Sequence, residues 1–172
     1  KEEETLHPFV LRASGVNHQM MVRTRGHSRK EVCYFPPLRL EFDESVPKNS
    51  PFSGQDDLKL VTHCNKSKHA QAYVLREYAV YKFFELLSDA SFRVRLLDIE
   101  YIDTEYKHDT QRYGFVLETT GDLAKRIGGE KVDIHSISLG MLNDHQEALV
   151  YVFQYLIGNT DWSFVNEEEG QD

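Results

Sequence analysis

The residues best suited to chemistry lie near the C-terminal end of the chain. An apolar stretch, Glu147-Ala-Leu-Val-Tyr-Val-Phe-Gln-Tyr-Leu-Ile-Gly158, breaks into the polar loop Asn159-Thr-Asp-Trp-Ser163, and Asn166 stands five residues after Asp161. A carboxylate in a loop that follows a Gly-stopped helix can take a proton from a hydroxyl, and an amide at that spacing can hold a metal ion. The same loop also reads as an Asx-type turn closing a core helix, because Asn and Asp hydrogen-bond their own backbone. Upstream, after Arg25, Gly26-His27-Ser28-Arg29-Lys30 reads as a small turn with one glycine, one hydroxyl and two bases, able to offer backbone N–H groups and positive charge to a phosphate. A connection between two strands is the plainer reading of that turn.

These groups must be positioned by the elements between them. Met20-Met-Val-Arg-Thr-Arg25 alternates as a strand with Arg23 and Arg25 on one face, and Phe35 to Phe42 resumes as a strand with Leu38, Leu40 and Phe42 opposite Arg39 and Glu41. Residues 6 to 14 read as an irregular lead-in or an edge strand, and residues 43 to 57, with their prolines and small polar residues, as loop. Leu58-Lys-Leu-Val-Thr62 is a further strand, Lys59 projecting away from Leu58 and Leu60. The spacing predicts a long helix over 70–87, apolar nearly all round and so packed on more than one side, in which Arg76 and Glu77 either find partners or reach solvent. Residues 92 to 102 and 112 to 118 read as an antiparallel pair with a charged tip, 119 to 121 as a linker, and 122 to 127 as a short helix. Asp144 is the expected N-cap of the last helix, with Glu147 at the capping-box position.

Composition narrows the classes. The chain has 172 residues, 40% of them hydrophobic, and 28 acids against 20 bases. It can bury a real core, and its net charge of -8 argues against coating nucleic acid. No apolar run reaches the length of a membrane span, and Lys1 to Thr5 is not a signal peptide. Cys33 and Cys64 allow one disulfide at most, which a domain of this size does not require. His63-Cys64 with His69 reads either as part of a zinc site or as a strand end with a free thiol.

The order of elements is that of a two-lobed kinase: a sheet with a phosphate-binding turn and a basic residue, a helix whose acid orients that base, a connector, and a helical lobe ending in a catalytic loop. An α+β fold is therefore expected, with an antiparallel N-lobe sheet and its long helix over 1–120. A helical lobe begins at 121–172 and carries a catalytic-loop-like segment at 158–166. Arg25-Gly-His-Ser28, Pro36-Pro-Leu-Arg-Leu-Glu-Phe42, Leu58-Lys-Leu-Val-Thr62, Leu75-Arg-Glu-Tyr-Ala-Val-Tyr81 and Tyr113-Gly-Phe-Val-Leu-Glu118 together resemble the spore-coat CotH family of atypical protein kinases. That resemblance implies an ATP-dependent transfer of the γ-phosphate to a protein serine or threonine hydroxyl with Mg²⁺ or Mn²⁺, and a cell-surface or extracytoplasmic setting. It places Arg25, Gly26 and Ser28 over the nucleotide phosphates and Lys59 or Arg39 on the α- and β-phosphates. Glu77 would pair with that base, Glu118 to Thr120 would border the adenine, Asp161 would be the catalytic base and Asn166 a metal ligand. His27 departs from the family's turn, where an Asn stands, and Arg76 rather than Glu77 matches its helix motif. The chain stops at Asp172, before the strand expected to deliver a second metal-binding Asp, so the expectation is a fragment or a form without activity. Two other readings are a non-catalytic surface or coat-assembly protein that binds a protein partner, and a small β-rich binding module using Tyr101, Tyr106 and Tyr113.

Overall fold

The structure, a computed structural model, describes residues 5–26, 28–42, 46, 48–104, 109–132, 139–160 and 162. The chain divides into two units, Lys1–Gly128 and Gly129–Asp172. The fold is α+β, as expected from the sequence.

The first unit is an antiparallel sheet in the order β1-β2-β3-β4-β6-β5. Its strands are β1 (His7–Ala13), β2 (Val16–Thr24), β3 (Leu38–Phe42), β4 (Asp57–Val61), β5 (Val94–Tyr101) and β6 (Thr110–Leu117). Residues 7–13 thus form an edge strand, and Ser14 and Gly15, with φ of 51° and 78°, make the two-residue turn that joins β1 to β2. Both central residues at positive φ match the twist that a tight hairpin needs.

Strand alternation divides the sheet into two faces. One collects Met20, Val22, Leu40, Leu58, Leu60 and Val116 into a core that Leu11, Ala13, Leu97 and Ile99 extend from the two edge strands. Because residues of β1 and β5 join one cluster from opposite edges, the sheet is curled, with this face inside. The β3–β4 connection folds over the inner face and seats Phe52, buried and stacked on Phe42 at 5.1 Å. Gly114 is needed where β6 passes β4: a Cβ there would lie 2.9 Å from the Val61 carbonyl oxygen and from Ile99 Cδ1. The outer face carries charge on β2, β3 and β4, and apolar residues on β5 and β6.

Helix α2 (Lys68–Glu85) covers the apolar half of the outer face, packing Val74, Tyr78 and Tyr81 around the fully buried Phe115. Ser67 caps it, its hydroxyl accepting from the Ala70 amide. Only one side of this helix is buried, against the expectation of packing all round: Tyr73 and Phe83 are both 64% exposed. Single-sided burial suffices because the helix lies on a sheet rather than between layers. Helix α3 (Thr120–Arg126) begins inside the stretch expected to be a linker and belongs to the first unit.

Between β2 and β3, where a simple strand connection was expected, the chain forms a short helix, α1 (Ser28–Val32). Cys33, just after it, is bonded to Cys64, just after β4. The free-thiol reading is therefore corrected, and a thiolate zinc ligand at Cys64 is excluded with it. The two cysteines meet because Phe35 and Cys64 bridge antiparallel, the Phe35 amide donating to the Cys64 carbonyl at 2.8 Å. The Thr62 hydroxyl adds a 3.0 Å bond to the Phe35 carbonyl. Buried His63 stacks on Phe35 at 5.0 Å.

The second unit contains a 3₁₀ turn at Leu139–Met141 and helix α4 (Asp144–Leu156). Its N-cap is Asn143, one residue before the expected Asp144, with the Asn143 side chain accepting from the Gln146 amide. Gly158, at φ 67°, follows its end as expected. No described helix is long and apolar enough to cross a membrane.

The disulfide closes a separation of 31 residues. Replacing both cysteines by serine is expected to cost roughly 3–4 kcal/mol through the loop-closure entropy regained by the unfolded chain. Guanidinium unfolding of the two proteins checks this; an unchanged midpoint would contradict it.

Candidate functional site

The charged half of the outer face is built by register. Arg23 stands opposite Arg39, and Arg39 opposite Lys59, so three cations lie in one row across β2, β3 and β4. Like charges in direct register repel. The next row relieves this with Glu41 opposite Asp57. Arg23 Nε donates to Glu41 Oε1 at 2.7 Å, while Arg39 Nε lies 2.7 Å from Asp57 Oδ2 as an ion pair without a hydrogen-bond angle. Lys59 Nζ sits 5.6 Å from the centre of the Phe92 ring.

Arg25 continues this face beyond the end of β2, its amide donating to the Pro37 carbonyl at 2.8 Å. Gly26 follows at φ 90°, a conformation that turns the chain into α1 and that other residues rarely adopt. Helix α1 then brings Arg29 to Glu77 of α2, 3.5 Å apart. The Arg25 guanidinium is half-buried. Its pKa lies below the ordinary value because burial disfavours the charge and Arg29 and Arg39 repel it, against the pull of Tyr81 and Glu77. Tyr81 is pushed up by burial and by the Glu77 charge. Arg25 makes no ion pair among the described residues.

The fold therefore gathers Arg23, Arg25, Arg29, Arg39, Lys59 and Glu77 from four elements and the end of β2. Arg25, Gly26, Arg39, Lys59 and Glu77 were read from the sequence; Ser28 is the first residue of α1. The expected partnership of Glu77 is different, since its ion pair is with Arg29 rather than with Lys59 or Arg39. Arg29 was visible only as one of two bases in a turn; once 28–32 is helical, it points its charge toward α2. Arg76 lies over the Tyr73 ring at 5.8 Å.

Glu118 follows Leu117, the residue paired with Lys59, and its carboxylate is engaged locally. Its carboxylate accepts from Arg126 Nε and Nη2, both at 2.9 Å, and from the Arg93 amide at 3.0 Å. Arg126 also donates to the Asp89 and Ser91 carbonyls. Thr119 caps α3 through the Asp122 amide. Glu118 and Thr119 therefore spend their side chains fixing α3 to the sheet, where the resemblance placed an adenine border. Burial raises the Glu118 carboxyl, but the bonds and charges of Arg126 and Arg93 outweigh it and hold the pKa below its ordinary value.

Asp161, Asn166 and Tyr106 lie outside the described residues. Tyr101 is not an open ligand contact: its hydroxyl is buried and its pKa is pushed up to about 12 by burial. No group of three His, Cys, Asp or Glu able to hold a metal occurs among the described residues. No protein-family model, curated protein or solved structure matches the chain.

A carboxyl whose folded pKa is depressed stabilises the fold above its unfolded pKa, and that stability is lost as pH falls through the folded value. Arg126→Gln is expected to cost about 2–3 kcal/mol near neutral pH by leaving Glu118 half-paired. It should also flatten the acid limb of stability below the unfolded carboxyl value of about 4.3. Urea unfolding from pH 7 to pH 3 measures both; equal acid limbs in the two proteins would contradict the assignment.

Proposed function

We propose that the chain is the nucleotide-binding part of a kinase-like phosphotransferase that moves the γ-phosphate of ATP onto a protein serine or threonine hydroxyl. One observation carries this reading: cations far apart in sequence, Arg25, Arg29, Arg39 and Lys59, converge on one sheet face beside an acid of the long helix, Glu77. Among the named side chains there, five cations (with Arg23) stand with three carboxylates, Glu41, Asp57 and Glu77. Half-buried guanidinium groups suit phosphate because their forked donors meet its oxygens pairwise.

In this reading Arg25 and Arg29 bind phosphate oxygens at the turn after β2. Arg39 and Lys59 extend the contact along the sheet, and Glu77 orients Arg29. Asp161 accepts the proton of the substrate hydroxyl. Asn166 would be a ligand of the Mg²⁺ or Mn²⁺ ion, whose chemistry is to neutralise charge on the phosphates. The Cys33–Cys64 bond agrees with an oxidising, cell-surface or extracytoplasmic setting.

A second reading, a non-catalytic protein that keeps the scaffold to bind a protein partner, is favoured by the pairing of Glu77 with Arg29 and of Arg39 with Asp57. The helix acid, which in a kinase orients the lysine, here holds an arginine of α1.

ATP with Mg²⁺ or Mn²⁺, at about a hundred times its Kd, is expected to raise Tm by roughly 5–10 °C. Arg25→Ala should weaken that binding by about tenfold or more. Asp161→Asn should leave binding intact and abolish phosphate transfer to a protein acceptor. Absence of any shift with either metal overturns the nucleotide reading. A shift without transfer, unchanged in Asp161→Asn, selects the non-catalytic one.

A further inference from the structure

The inner face of the curled sheet holds a feature unrelated to the basic face. The connection between β3 and β4 is fixed over the β2–β3 side of this face. Phe52 stacks on Phe42 and meets His18 edge-on at 5.4 Å, and the Ser50 hydroxyl accepts from the Phe52 amide at 3.1 Å. The cover ends at Gln55, whose amide donates to the Phe52 carbonyl. Beyond it lies a cleft of about 260 Å³. Ala13 from β1 and Leu97 from β5, the two edge strands, both line it, together with Phe52, Leu58 and Val116. It lies on the inner face of the curled sheet and is lined from both edges, a concave position of the kind where β-folds hold small ligands.

Among the described residues its polar lining consists of Arg95, Ser14 and Gln55. Arg95 is exposed, and its guanidinium has no ion pair or side-chain hydrogen bond among the described residues. An apolar cleft with one cation and two neutral hydrogen-bonding side chains selects for a molecule with an apolar body and one anionic end.

We propose that this cleft binds a small carboxylic acid, its apolar body lying on Leu58, Leu97 and Val116 and its carboxylate meeting Arg95. The site is independent of the phosphate reading, because its lining lies on the opposite face of the sheet from Arg39 and Lys59.

Titration of ¹⁵N-labelled protein with 4-phenylbutyrate, and with 4-phenylbutan-1-ol as its uncharged counterpart, tests the assignment. The acid should give saturable shifts centred on the amides of Ala13, Phe52, Leu97 and Val116. Arg95→Ala should weaken the acid about tenfold, the scale of one charge-assisted hydrogen bond, and leave the alcohol unchanged. Leu97→Phe should fill the cleft and abolish both; Ala13→Leu serves the same purpose from the other edge strand if the first variant unfolds. The proposal is overturned by shifts that do not saturate or that centre elsewhere. Equal binding of acid and alcohol to the wild type, or binding that survives filling in a folded variant, overturns it as well.

Discussion

The period of two in β2, β3 and β4 is the constraint from which both faces of this protein follow. Leu40, Leu58, Leu60, Met20 and Val22 must turn inward to make a core, so Arg23, Arg39 and Lys59 are forced outward into one row. A slip of one residue in any of these strands would bury a cation and expose a leucine, which makes the register strongly determined. The cost of three aligned cations is offset by the carboxylates of the next row, and Glu41 and Asp57 are placed there by the same alternation. Charge and core are thus two outcomes of one pattern.

Two further links decide where the helices lie on that sheet. The Cys33–Cys64 bond ties the end of α1 to the exit of β4, a few residues before Ser67 caps α2. It therefore holds both helices near one corner, where Arg29 meets Glu77. At the opposite end of the helix layer, Glu118 and Arg126 fasten α3 to the loop before β5, with Arg126 also reaching the carbonyls of Asp89 and Ser91. Pairing of this kind, partly buried and bidentate, contributes more than the exposed Arg29–Glu77 contact, which solvent screens.

Much of this was legible in the residues and some was not, for physical reasons. Alternation identified β2, β3, β4 and the β5–β6 pair, and the long apolar run identified α2, because these signals are periodic and local. The hairpin at Ser14-Gly15 went unread, because β1 has mixed polarity and gave only an edge strand or a lead-in. Helix α1 was missed because five residues carry no period; only Gly26 marks its start. The disulfide depends on Phe35 reaching Cys64 across 28 intervening residues of chain, a long-range fact that two cysteines alone do not encode. Arg25, Arg39, Lys59 and Glu77 were singled out from the sequence and lie in one charged cluster, whereas the partner of Glu77 and the side-chain bonds of Glu118 were not read. Ion pairs between elements depend on helix placement, which propensity does not determine.

The central claim is that separated arginines form one anion-binding face. Side-chain ¹H–¹⁵N spectra of arginine Nε during titration with inorganic tripolyphosphate report on it most directly. The account predicts that the Nε signals of Arg25, Arg29 and Arg39 move together and saturate while those of Arg112 and Arg126 stay in place. Equal movement of all arginines, or no movement of the first three, would contradict it.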